Sequence, residues 1–154
     1  MTDAELMQQI KTKWGAAITA ALSTSALPPS FLGALIANES DGLPSATRYE
    51  PEVCTHLQSQ HPDWADDRLR ANATSWGLTQ IMGINYGGPP EELLNPETNL
   101  KQAVQMLSTF AEDYWLDLAV DFEYLFRCWN TGGPHGHTYD PEYAARGQAR
   151  MAMW

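Results

Sequence analysis

The stretch Phe31-Leu-Gly-Ala-Leu-Ile-Ala-Asn-Glu39-Ser-Asp-Gly42 constrains this chain more than any other. Phe31, Leu32, Leu35, Ile36 and Glu39 fall at i, i+1, i+4, i+5 and i+8, which is one face of a helix. Pro28-Pro29 opens that helix, Ser30 is the expected N-cap, and Gly42 stands where a left-handed residue commonly ends one. The last inward-facing residue of an otherwise apolar stripe is therefore a carboxylate. Loss of hydration disfavours its charged form and raises its pKa, as a general acid working near neutral pH requires. Two structural readings account for the same glutamate: pairing with a buried arginine, or capping of a neighbouring turn.

At 154 residues and 44% apolar content the chain is long enough for a buried core, and one domain is expected over residues 1–154. No apolar run approaches membrane-spanning length, and Met1-Thr-Asp-Ala-Glu lacks the basic start of a signal peptide. A net charge of −10 argues against nucleic acid, since too few cations are present to neutralise a row of phosphates. A neutral polymer such as a glycan suits that charge, and nothing in the pattern calls for more than a monomer. Cys54 and Cys128 lack metal-ligand spacing, and free thiols are expected.

The rest of the chain reads as helices joined by Gly- and Pro-rich breaks. Thr2-x-x-Glu5 is a capping box before a packing helix with Leu6, Ile10, Trp14, Ile18, Ala21 and Leu22 on one face, and residues 1–27 form this N-terminal part. Residues 43–51 are too Pro-rich for regular structure and hold Arg48, Tyr49 and Glu50 together. A short helix is expected over 52–60, then a polar, helical or turn-like excursion to Arg70. Asn95-Pro96 starts a helix with Leu100, Val104, Leu107 and Phe110 or Ala111 inward; another is expected over 117–129, and a last one after Asp140-Pro141. No convincing strand is visible. The expected fold class is all-α, or nearly so.

Three separated motifs share an order. Glu39-Ser40 closes a helix, Ser75-Trp-Gly-Leu-Thr-Gln80-Ile-Met follows, and Cys128-Trp-Asn130-Thr-Gly132 comes third. Together they resemble the lytic transglycosylase and goose-type lysozyme superfamily, whose members carry an "ES", a "GLMQ" and an "A-Y-N-x-G" segment. Here Thr79 replaces the Met of the second, and Cys128-Trp129 replaces the Ala-Tyr of the third. Tyr143 matches the family's late tyrosine. The resemblance spans residues 28–152, with a longer link than usual at 43–72. It implies a lysozyme-like helical fold with a substrate groove, and peptidoglycan glycan strands as the partner.

The resemblance makes Glu39 the catalytic acid. In these transglycosylases no second carboxylate is used: the substrate's N-acetyl group assists, and the deprotonated glutamate takes the proton of the C6 hydroxyl, leaving a 1,6-anhydro end. A hydrolytic muramidase is the alternative, with Glu50 as the possible second carboxylate and Asp41 as the fallback. A third reading is a lysozyme-like module that binds glycan, or docks in a phage assembly, without cleaving. For Glu50 the competing description is an ion pair with Arg48. Ser75, Gln80 and Asn130 suit hydrogen bonding to acetamido groups and hydroxyls, although Ser75 and Asn130 also stand where helix caps do. Among the aromatics, Tyr143 and Tyr49 are the candidates for flanking a sugar. His135 and His137 read as an exposed loop and not a zinc site, and no cofactor is implied.

Overall fold

The computed structural model describes residues 1–154. Helix α1 (Asp3–Ala21) begins at the capping box: the Thr2 hydroxyl accepts from the Glu5 amide, and the Glu5 carboxylate accepts from the Thr2 amide. Helix α2 (Pro29–Ser40) has Pro28 at its N-cap position and Pro29 as its first residue, so Ser30 sits inside the first turn and caps nothing. A stripe understates its burial. Gly33, Ala34 and Ala37 are enclosed as well as Phe31, Leu32, Leu35 and Ile36, because α1 and α7 (Tyr143–Met151) flank it. A helix without a charged side chain over most of its length has no face to offer water, and it becomes the axis of the core. At Gly33 a Cβ would lie 2.3 Å from the Trp154 ring, so the bare backbone there is what lets the final indole pack.

Helices α5 (Pro96–Tyr114) and α6 (Phe122–Thr131) complete the main core, with Leu100, Leu107, Leu125 and Phe126 buried in the same cluster as the α2 side chains. Phe126 stacks on Phe31 at 4.2 Å. Helix α5 starts as expected, with the Asn95 side chain accepting from the Thr98 amide. Helix α6 starts later than its apolar spacing indicates. Asp117 and Asp121 instead close a turn in which the Asp117 amide donates to Asp121 and the Ala119 amide to Asp117. Short acidic side chains that satisfy the backbone locally compete with helix.

The longer link at 43–72 folds. It contributes strand β1 (Thr47–Tyr49), helix α3 (Pro51–Gln60) and helix α4 (Asp66–Asn72), held by a small cluster of Leu57, Leu69 and Ala73. β1 pairs antiparallel with β2 (Thr74–Trp76), and β2 with β3 (Ile81–Met82). The fold is thus mostly helical with one small sheet, and the strands that the sequence does not reveal are two or three residues long. Such strands are too short to show alternation. Cys54 and Cys128 are free thiols. No helix is long and apolar enough to cross a membrane.

Candidate active site

Helix α2 ends because Asp41 and Gly42 both adopt left-handed backbone, at φ 53° and 85°. Two bonds fix that end: Trp14 Nε1 donates to the Gly42 carbonyl at 3.1 Å, and Ser40 Oγ donates to the Leu78 carbonyl at 2.7 Å. Glu39 stands one residue before the helix closes. It faces a cavity of about 470 Å³ whose lining also includes Asn38, Arg48, Glu50, Ser75, Gln80, Met106, Phe110, Trp129, Asn130 and Gly132. Five of the candidate residues read from the sequence therefore meet in one place, Glu39, Glu50, Ser75, Gln80 and Asn130, while the fallback carboxylate Asp41 does not line the cavity.

Burial pushes the Glu39 carboxyl from 4.5 up to about 7, against the opposing pulls of the Tyr143 hydroxyl and the Arg48 charge. The Tyr143 phenol donates to Glu39 Oε1 at 2.6 Å. Burial, together with the neighbouring Glu39 charge, raises the pKa of that phenol strongly, so it keeps its proton and remains a donor. With Oε1 occupied, Oε2 is the oxygen left for a ligand. Tyr143 itself is only 5% exposed, and its ring meets Phe126 edge-on. It supports Glu39 from beneath and offers no ring face to a sugar.

Glu50 lies on the same cavity, and its Oε1 accepts from Arg48 Nε at 2.9 Å. Ion pair and cavity wall are both correct descriptions of it. The pair is exposed, 75% for Arg48 and 32% for Glu50, so it is held only weakly. The sheet explains which residues reach the cavity. Arg48, Ser75 and Met82 form one cross-strand row and all three line it. Ser75 is thus a mid-strand residue, not a helix cap. Tyr49, next along β1, points to the opposite face. There it lines a separate depression with Thr47, Thr74 and Trp76, under the Arg70 guanidinium at 4.0 Å. The structure does not bring Tyr49 to the Glu39 cavity.

Gln80 has structural work of its own that its sequence neighbours do not disclose. It sits at φ 56°, and its Nε2 donates to the Ala46 and Gly77 carbonyls at 3.0 Å each. Both amide hydrogens are spent on the turn, which leaves Oε1 as an acceptor for a ligand. The turn before it depends on Gly77 and Asn99. Asn99 accepts from the Thr79 amide and hydroxyl and donates to the Trp76 and Leu93 carbonyls, so every polar site of its buried amide is used. At Gly77, with φ 78°, a Cβ would stand 2.3 Å from the Leu93 carbonyl.

Asn130 is exposed on the last turn of α6, ahead of Gly132 at φ 89°. Trp129 turns its Nε1 to the Thr79 carbonyl at 3.1 Å, joining α6 to the Gln80 turn. Two positioning residues went unnoticed in the sequence. Asn38 donates to the Tyr143 carbonyl at 3.1 Å and accepts from Arg150 Nη1 at 2.9 Å, while Arg150 Nη2 reaches Asp3 at 3.0 Å. This chain clamps α7 to α2 and α1 and so holds Tyr143 under Glu39. A lone Asn in an apolar run was the available signal. His135 meets Tyr124 edge-on at 5.6 Å, and no group of three or more His, Cys, Asp or Glu side chains stands close enough to hold a metal ion.

Residues 16–120 match the family model of the transglycosylase SLT domain. The matched stretch contains α2 with Glu39, the whole sheet and the Gln80 turn; α6 and α7, with Asn130 and Tyr143, lie beyond it. No curated protein and no solved structure matches the chain. With more than half of its residues covered, the chain belongs to the transglycosylase SLT domain family, a lytic-transglycosylase branch of the lysozyme-like proteins that cleave peptidoglycan.

Proposed function

We propose that residues 1–154 act as one lysozyme-like catalytic unit, a lytic transglycosylase cutting the β-1,4 bond between N-acetylmuramic acid and N-acetylglucosamine. Glu39 serves first as acid and then as base. The observation that carries this reading is a carboxyl pushed up to about 7 by burial on the wall of an open cavity, with one oxygen already bonded to Tyr143.

In the first step the Glu39 carboxylic acid gives its proton to the glycosidic oxygen as the C1–O bond of the muramic residue breaks. The leaving sugar departs with a free 4-hydroxyl. The acetamido oxygen of the muramic residue closes on C1 and takes up the developing positive charge, so no protein nucleophile is required. In the second step the C6 hydroxyl attacks C1, the acetamido C–O bond reopens, and the C6 proton passes to the Glu39 carboxylate. The products are a 1,6-anhydro end and an enzyme with its proton restored. Arg48 favours the ionised Glu39 between the two steps. Ser75 Oγ, Gln80 Oε1 and the Asn130 carboxamide, all on the cavity wall, are the groups that hold the acetamido and hydroxyl groups in place.

Hydrolysis is the second reading, favoured by one observation: Glu50 shares the cavity and could orient a water. Against it stands the Arg48 ion pair, which occupies one of its oxygens. Mass spectrometry of muropeptides released from purified murein decides between them. Transglycosylation gives anhydro ends, one water lighter than reducing ends, and Glu50→Gln retains at least a third of wild-type activity. Reducing ends, with a Glu50→Gln enzyme that is inert yet folded, would establish hydrolysis instead. An enzyme that binds glycan and releases nothing would leave only the non-catalytic module.

A further inference from the structure

We infer that the glycan track does not stop at the Glu39 cavity but continues along α5 onto the ring of Tyr114, which forms a distal sugar-stacking subsite. The inference rests on reading the cavity as a glycan site. Met106, Phe110 and Tyr114 are spaced i, i+4 and i+8 and therefore share one face of α5. The first two line the cavity. Tyr114 is one turn further on, where the Glu39 cavity gives out. Its hydroxyl donates to the carbonyl of Gly132, another lining residue, at 3.1 Å.

That bond pins the ring at the cavity's Gly132 rim while leaving it 42% exposed. A fixed aromatic face costs little to order when a ligand arrives, and the C–H face of a pyranose packs well on it. At the other end of the same face, Gln102 donates to the carbonyl of Asn85, which also lines the cavity. From Gln102 to Tyr114 the helix rises ~18 Å at 1.5 Å per residue, enough for several sugar rings in a row. The neighbouring Trp115 is 93% exposed but lines a different depression with Ala26 and Leu118, so it serves as an internal control.

The test uses peptide-free glycan strands of graded length and the non-cleaving Glu39→Gln protein, with binding read by calorimetry. Affinity should climb with strand length until a ring reaches Tyr114. Adding Tyr114→Ala should remove the last increment, roughly three- to tenfold, for long strands. Tyr114→Phe should keep part of that increment, because it retains the ring but loses the bond that pins it, whereas Trp115→Ala should lose none of it. Equal length dependence with and without Tyr114→Ala would overturn the inference, as would an equal loss for Trp115→Ala. A wild-type enzyme that releases no muropeptide but shows the Tyr114-dependent increment would sink the proposed reaction and leave this subsite standing.

Discussion

Glu39→Gln should stabilise the protein by an amount that grows as pH rises from 4.5 to about 7 and holds steady above that. A glutamate whose folded-state pKa is raised keeps its proton in the native state after the unfolded chain has lost its own. Between 4.5 and about 7 the native state therefore binds more protons, and stability falls as pH rises through that window. At ~1.4 kcal/mol per unit of pKa, the full penalty above the window is on the order of 3 kcal/mol. Glutamine escapes it, since it cannot ionise, and its carbonyl can still accept from Tyr143. The variant and wild type should thus melt together near pH 4. By pH 8 the variant should lie roughly 6–12 °C higher, taking 2–4 °C per kcal/mol for a chain of this size. Thermal melts followed by circular dichroism from pH 4 to 9 measure the difference, in which every other titrating group cancels. A gap that does not change with pH, or a variant less stable at pH 8, would refute the burial argument.

Activity carries the same titration. kcat/KM on glycan strands should fall about tenfold per pH unit above about 7, as free enzyme loses the proton that the first step needs. Tyr143→Phe removes the one hydrogen bond that favours ionised Glu39, so this limb should move to higher pH; a limb that stays put would show the phenol to be merely structural. Asn99→Ala strands three buried polar groups and one half-buried carbonyl around the Gln80 turn and should cost about 3 kcal/mol or more in urea melts, while Gly77→Ala, strained in φ and in space, should be comparably damaging.

The elements that were legible in the sequence are those whose signals are local. Thr2 and Glu5 cap each other three residues apart, and Asn95-Pro96 caps its own helix, so each could be read without knowing the fold. The apolar run ending at Glu39 was equally plain. What escaped depends on partners distant in the chain. Alternation along β1 sends Arg48 to the cavity and Thr47 and Tyr49 away from it, but three residues cannot reveal alternation before their pairing with β2 is known. In the sequence Tyr143 reads as a sugar platform, yet its burial follows from α7 docking on α2, which Asn38 and Arg150 enforce across more than a hundred residues. Gln80 shows no structural partner in the sequence because its acceptor at Ala46 lies 34 residues away along the chain. Pro28 displaces Ser30 as N-cap because extended Pro28 followed by Pro29 in the first helical position already sets the entry of the helix.

Glu39 can act as the acid only if it holds its proton near neutral pH. Carbon-13 NMR of the Glu39 side-chain carboxyl, titrated from pH 3 to 10 in the folded enzyme, reads that directly. A midpoint near 7 is expected. A midpoint at the ordinary value of 4.5 would mean that the carboxylate is solvated and charged at neutral pH, and the proposed acid would have no proton to give.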